Sequence, residues 1–348
     1  MAHDPLAPFD AVLLLSFGGP EAPEEVMPFL EHVTRGRGIP RDRLELVAEH
    51  YQHFGGASPI NAQNRALLEA LEPALRAAGS QAPIYWGNRN SAPWLRDTAR
   101  VMADAGVRRP VVLVTSAYSS YSGCRQYRED LAEAFDGLDM EVAKVAQFFD
   151  AEGFIAANAD AVRAALAEAA ADAPLLFITH SIPIAASASR YVEQHEAVAR
   201  EVMRRIDADR PWRLVYCSRS GAPNQPWLEP DVNDVIREIA ASGGTEVVLA
   251  PIGFMSDHME VRYDLDTEAA ATAALVGVHT IRAATAGTHP AFVQGLVDLL
   301  LERASVARGE APVAARIALG CAPALAVCAV GCCANPRADR PALCGEVA

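Results

Sequence analysis

Eight short runs rich in apolar and β-branched residues, near 10–17, 83–89, 110–116, 140–147, 174–180, 212–218, 245–252 and 275–282, alternate with stretches of helical periodicity. Parallel strands cannot be joined by a tight turn. They need a crossover of a dozen or more residues, and an amphipathic helix is the usual one. The alternation therefore predicts parallel βαβ units in three α/β layers. Residues 59–78, 150–171 and 188–206 read as such helices, several ending near Gly or an Asp-Ala-Pro break. At 348 residues the chain is too long for one ordinary core. We read the architecture as written twice, over 8–147 and 148–287, with a helix at 290–307 returning to pack on the first unit.

After residue 307 the composition shifts to Ala, Pro, Gly and Cys without periodicity, so 308–348 reads as a tail that buries little core. Cys124 and Cys217 lie in the body, whereas Cys321, Cys328, Cys332, Cys333 and Cys344 crowd the last 28 residues. In a reducing compartment such a crowd points to metal binding more than to disulfides. A formal net charge of −14 argues against a nucleic-acid partner. Neither a basic-then-apolar N-terminus nor an apolar run of about 20 residues is present, so the expectation is a cytoplasmic protein without a membrane span. An acidic chain of this kind suits small molecules or cations as partners.

Two segments carry the clearest chemistry. Ile178-Thr179-His180-Ser181-Ile182-Pro183 ends an apolar run on an imidazole. Pro251-Ile252-Gly253-Phe254-Met255-Ser256-Asp257-His258-Met259-Glu260 leads into Asp264 and Glu268. Open α/β sheets bind ligands at the carboxyl ends of their strands. Glu260, Asp264 and Glu268 recur every four residues, along one helix face at about 6 Å per step. An acidic row on a helix is most often a solvated face. This one starts directly after a strand-like run, and closely spaced acids there would have raised, coupled pKa values suited to cations or protons. A π-bulge would align an i, i+4 row better still.

The remaining signals are weaker. Ala11–Phe17 opens into Gly18-Gly19-Pro20, which lacks both the G-x-G-x-x-G spacing and a P-loop lysine, so a nucleotide is not expected. Arg35, Arg37, Arg41 and Arg43 precede Gly55-Gly56-Ala57-Ser58-Pro59, and arginines there could clamp ligand carboxylates or form a solvated basic loop. Tyr118, Tyr121 and Tyr127 surround Ser122-Gly123-Cys124-Arg125, where they could face a flat ligand or simply pack.

At these residues the chain resembles the ferrochelatases, enzymes that insert Fe2+ into a porphyrin. The resemblance runs from Val12 to Ala307 and rests on Ser16-Phe17-Gly18-Gly19-Pro20, Gly56-Ala57-Ser58-Pro59-Ile60, Thr179-His180-Ser181-Ile182-Pro183, Ser218-Arg219-Ser220-Gly221 with Pro226-Trp227-Leu228, and Ser256-Asp257-His258-Met259-Glu260 with Tyr263-Asp264-Leu265-Asp266. It implies two Rossmann-like, chelatase-type domains with a porphyrin cleft between them. It further implies His180 and Glu260 as catalytic and Fe2+-site residues, and Asp264 and Glu268 as a path leading away. Phe17, Arg35, Arg37, Ser58 and Tyr127 match porphyrin contacts of the family's shorter bacterial branch, whose substrate is coproporphyrin III; the alternative is protoporphyrin IX. Phe17 departs from relatives that place a Tyr there, so product iron would lack that axial bond. Part of the family carries a [2Fe-2S] cluster on one internal and three C-terminal cysteines. Here Cys124 with Cys332, Cys333 and Cys344 is the favoured set, with Cys328 or Cys321 as substitutes, although the spacing does not match better-known members. A haem-synthesis enzyme downstream is an expected partner. Other readings are a porphyrin or haem carrier or iron–sulfur sensor without turnover, and a chelatase for another tetrapyrrole or metal.

Overall fold

The structure, a computed structural model, describes residues 3–36, 38–184, 188–206, 209–220, 225–312 and 315–345. Arg37 and Gly221 thus lie outside the described residues. Two four-stranded parallel sheets form the frame. The first contains β1 (Ala11–Ser16), β2 (Ile84–Asn88), β3 (Pro110–Val114) and β4 (Ala143–Lys144) in the order β2-β1-β3-β4. The second contains β5 (Leu175–His180), β6 (Trp212–Cys217), β7 (Glu246–Ala250) and β8 (His279–Arg282) in the order β6-β5-β7-β8. The two layouts are the same, and in each the order reverses between the first and third strands of the sheet. Those reversals, β1/β3 and β5/β7, are the places where doubly wound sheets open a ligand crevice.

All eight strands lie within the eight apolar runs, because strands covered on both faces read as continuous hydrophobic stretches. Every residue of β1 is buried. The exception in length is β4, which holds register with β3 over only Val111↔Ala143 and Val112↔Lys144. Beyond it the backbone makes one more ladder bond, Val145 N to Val112 O at 2.9 Å, and then leaves the sheet edge for the second unit.

The helices α1 (Pro23–Val33), α2 (Arg41–His53), α3 (Ile60–Ala77), α4 (Leu95–Asp104), α5 (Gln126–Ala134), α6 (Glu152–Glu168), α7 (Ala188–Ile206) and α8 (Val232–Ala241) join the strands. After β7, α9 (Met259–Tyr263) and α10 (Ala270–Val276) are fused by a π-helical turn, and α11 (Pro290–Ala307) follows β8. Instead of resting on the first unit alone, α11 packs against both α3 and α6. One hydrophobic core consequently runs from Val12 and Leu14 on β1, through Phe148, Phe154 and Phe292, to Leu175 and Phe177 on β5. At the α6–α11 crossing Gly153 meets Gly295, and a Cβ on Gly153 would sit 2.1 Å from the Ala291 carbonyl oxygen. Backbone cannot give way there, so the two helices close only over glycine.

Apart from isolated bridges, the described tail residues form no helix or strand, in keeping with their composition. Polar contacts dock the tail. Arg316 pairs with Asp150 and with Glu302 (3.1 Å), Arg340 with Glu133 (2.7 Å), and the Arg128 Nε donates to the Leu343 carbonyl at 2.6 Å. Among the described residues no helix is long and apolar enough to cross a membrane. Replacing Gly153 with Ala forces α6 and α11 apart, and we expect a loss of about 1–3 kcal/mol, read by urea denaturation. An unchanged midpoint would show that the crossing is not tightly packed.

Candidate functional site at the two sheet reversals

His180 is the last residue of β5, and the chain leaving β7 crosses directly in front of it. That crossing depends on Gly253, whose N–H donates to the Ile178 carbonyl at 3.0 Å. A Cβ on Gly253 would lie 2.1 Å from Thr179 Oγ1. The close approach carries residues 254–260 across the strand end and sets Glu260, in the first turn of α9, opposite His180. The His180 Nδ1–H donates to the Ser181 carbonyl, which turns Nε2 towards Glu260 Oε2, 3.7 Å away. The side chains are 31% and 54% exposed, so the pair lines an open cleft.

Partial burial disfavours the imidazolium, but the facing Glu260 charge and the hydrogen bond to Ser181 outweigh it and raise the pKa of His180. For Glu260 burial acts upward, yet His180 and then His258 hold it down at about 2. Next in the row, Asp264 is pushed up to about 7 by burial and by its carboxylate neighbours Glu260 and Glu268, although Ser218 donates a hydrogen bond to it. Ser218 adopts a left-handed backbone, φ 62°, to make that contact. Glu268 ends the row, exposed and 3.5 Å from the Asn233 amide. The π-helical turn spans Asp264–Ala269, and its wider winding suits the i, i+4 row. The row therefore runs from an always-charged acid, through one that binds a proton near neutrality, to solvent.

Neighbouring residues have other duties. Asp257 is locked by Arg282 at 3.0 and 2.8 Å, and Arg282 also holds Asp266. His258, which the sequence reading left without a role, packs edge-on against Phe254 with ring centres 5.1 Å apart; burial lowers its pKa while Glu260 opposes the shift. Its sequence signals were its place in the same turn and in the Ser256–Glu260 motif.

The first unit supplies the opposite side. Phe17 follows β1 and packs on Phe29; the Arg89 guanidinium lies 5.7 Å from the Phe17 ring and 4.5 Å from the Tyr127 ring. Tyr127 is only 4% exposed, so it reaches the cleft through Arg89 and does not face it, and Tyr118 is likewise buried in the core. Ser58 is buried beneath the start of α3 and, with Met259 and Arg262, lines a cavity of about 580 Å³. Arg35 lines a second, polar cavity of about 260 Å³ with Arg89, Tyr121 and two tail arginines, Arg337 and Arg340. Arg41 instead pairs on the surface with Glu31 (3.2 Å) and Glu45 (3.1 Å).

The cysteines separate into groups. Cys124, within a π-helical turn at Tyr121–Arg125, donates to Gln147 Oε1 at 3.3 Å, and interaction with the Cys328 thiol of the tail lowers it to about 7 despite burial. Cys333 and Cys344 each lie within electrostatic reach of Cys328. Cys332 is 3.9 Å from the Cys333 sulfur and accepts from Arg190 at 3.5 Å. Cys321 stands apart, near Glu193 and Asp150. Among the described residues no three His, Cys, Asp or Glu side chains are arranged to hold a single metal ion.

Burial raises the pKa of Asp264 to about 7. Its folded form binds a proton more tightly than the unfolded chain, so its contribution favours folding at low pH and is lost as pH rises from about 4 to about 7. We expect Asp264→Asn to stabilise the protein by about 1 kcal/mol or more at pH 8, with the gain shrinking towards pH 5. Melting curves of both proteins across that range provide the check, and a pH-independent difference would contradict the assignment.

A profile of the Ferrochelatase family matches residues 9–304. The chain is 52% identical to the coproporphyrin III ferrochelatase of Streptomyces griseus, over 99% of this chain and 97% of that one. It is 51% identical to the Streptomyces coelicolor protein of the same name (97% and 96% covered) and 52% identical to that of Frankia alni (86% and 81% covered). The fold is similar to that of the solved structure of SirB from Bacillus subtilis with Fe3+, at a TM-score of 0.55 and 11% identity, over 87% of this chain and 98% of that chain. With a paired histidine and glutamate at the sheet reversals and a profile match across both units, the chain belongs to the ferrochelatase family.

Proposed function

We propose that this chain inserts Fe2+ into coproporphyrin III, releasing two pyrrole protons and yielding Fe-coproporphyrin III in cytoplasmic haem synthesis. The observation that carries the reading is the His180–Glu260 pair, side by side on one wall of the cleft at 3.7 Å with a graded acidic row behind them. A proton acceptor works best when its pKa lies near the operating pH. Neutral His180 takes a pyrrole proton on Nε2, and Glu260, already charged, stabilises the imidazolium that forms. Asp264, titrating near 7, is the next acceptor, and exposed Glu268 hands protons to water. Fe2+, as substrate, meets the same Nε2 and carboxylate donors. A borderline imidazole nitrogen and a hard carboxylate oxygen suit a divalent iron in transit.

The choice of coproporphyrin is supported by the names of the relatives and by the arginine-lined cavity at Arg35 and Arg89, since planar guanidinium groups pair bidentately with propionate carboxylates. Arg37, outside the described residues, remains a proposed contact, with Phe17 and Ser58 against the macrocycle and Tyr127 behind Arg89. A downstream haem-synthesis enzyme is the partner that would receive the product.

For the tail, we propose Cys124, Cys328, Cys333 and Cys344 as the ligands of a [2Fe-2S] cluster. Such a cluster shares four thiolates between two irons, so a Cys124–Cys328 contact with two further thiols nearby is the kind of group it needs. Cys328 replaces Cys332 in the favoured set because Cys332 is turned towards Arg190. When bound, the cluster would supply one-electron redox chemistry, which metal insertion does not use, so its role is structural or sensory.

Anaerobic Fe2+ insertion followed by porphyrin absorbance tests the activity, with coproporphyrin III expected to be consumed faster than protoporphyrin IX. The reverse preference would overturn the substrate, and tight binding without turnover would favour a carrier. His180→Ala should lower kcat by about 10²-fold or more. The rate should rise with pH as His180 loses its proton. Glu260→Gln should move that limb to lower pH as well as slow the reaction, because Glu260 is what raises the His180 pKa. An unmoved limb would remove His180 from the proton-transfer role.

A further inference from the structure

The chain contains a single lysine, Lys144, among its 30 basic side chains. A sequence that uses arginine everywhere else places its one flexible ammonium in the interior, 1% exposed at the end of β4. Its Nζ donates to the Val145 carbonyl at 2.8 Å and to Gln147 Oε1 at 3.3 Å, and among the described residues no carboxylate pairs with it. The same Gln147 oxygen accepts from Cys124 Sγ at 3.3 Å, so ammonium and thiol meet on one atom. Arg128, 2% exposed on α5, spends its Nε on the Leu343 carbonyl, and its buried Nη1 has no hydrogen-bond partner among the described residues. Both cations act on Cys124, Cys328 and Cys344.

A buried cation without an anion costs several kcal/mol, and an unpaired donor adds to that. Neutral thiols do not compensate two of them. Four thiolates around two irons carry net negative charge, and adding an electron increases it.

We propose that Lys144 and Arg128 are the charge-compensating side chains of the iron–sulfur site, holding its reduced form at a higher potential than a neutral setting would. The inference rests on the cluster reading above, not on the insertion activity. Its test uses the full chain purified anaerobically, with iron and acid-labile sulfide assayed, and the midpoint measured by dithionite titration followed in visible absorbance and electron paramagnetic resonance. Lys144→Met should shift the reduction equilibrium at least tenfold towards the oxidised form, about 59 mV for one electron. Lys144→Arg, which keeps the charge, should stay within a few-fold of the parent. A parental midpoint in Lys144→Met would overturn the proposal, as would cluster loss from both variants with native circular dichroism. Loss from Lys144→Met alone would support it. If Lys144→Met does not fold, Arg128→Gln, which retains a donor for Leu343, is read in the same way. A parent protein with no iron or sulfide after reconstitution overturns the cluster itself, and this proposal with it.

Discussion

The approach of Gly253 to Thr179 is the contact on which the site's geometry depends. It lets the chain leaving β7 pass over the end of β5, and it keeps Thr179 inside a closed set of hydrogen bonds. His195 is fully buried and held neutral, its pKa driven down to about 3 by burial. A neutral ring has one N–H, and its Nδ1 donates to the Tyr191 carbonyl at 2.7 Å, so Nε2 accepts from the Thr179 hydroxyl at 2.9 Å. Thr179 then accepts from the Tyr191 hydroxyl at 2.6 Å, which also points at the His180 carbonyl. His195 stacks on Tyr118 at 3.5 Å, and the Tyr118 hydroxyl donates to the Ile252 carbonyl at 3.0 Å. The ends of β3, β5 and β7 are thereby tied to one another and to α7, and His180 stands on a braced backbone.

The same network fixes one unit against the other. Ser119 and Gln194 exchange two hydrogen bonds, Gln63 donates to the Asp257 carbonyl at 2.6 Å, and His50 stacks on Tyr263 at 3.6 Å. With α11 shared between α3 and α6, there is little freedom for the units to move apart without opening a common core. A cleft bounded in this way has firm walls, because packed interiors resist compression.

Electrostatic gradients organise the two chemistry-bearing regions in opposite senses. At the cleft, carboxylates accumulate, and burial first, with their repulsion added, lifts Asp264 into the neutral range. At the tail, two buried cations, Lys144 and Arg128, stand beside thiols. Each region is locally costly for folding.

Much of this was legible in the chain itself. Strand and helix periodicity located the eight strands and the long helices, since burial on both faces of a parallel sheet leaves an unbroken apolar run. Strand-end position singled out His180 and the acidic row. Other features required the fold, because they depend on residues far apart in sequence meeting. Nothing local indicated that Tyr127 would be covered by Arg89, that Arg337 and Arg340 would return to line a cavity with Arg35, or that Ser218 would hold Asp264. The tail's irregular cysteine spacing did not indicate that Cys332 would turn towards Arg190, a contact that only the docking of the tail creates. Sequence alone determined which residue types were available at the strand ends, since periodicity and chemistry are local. Tertiary structure decided their protonation and their partners, because burial and charge proximity are properties of the packed chain.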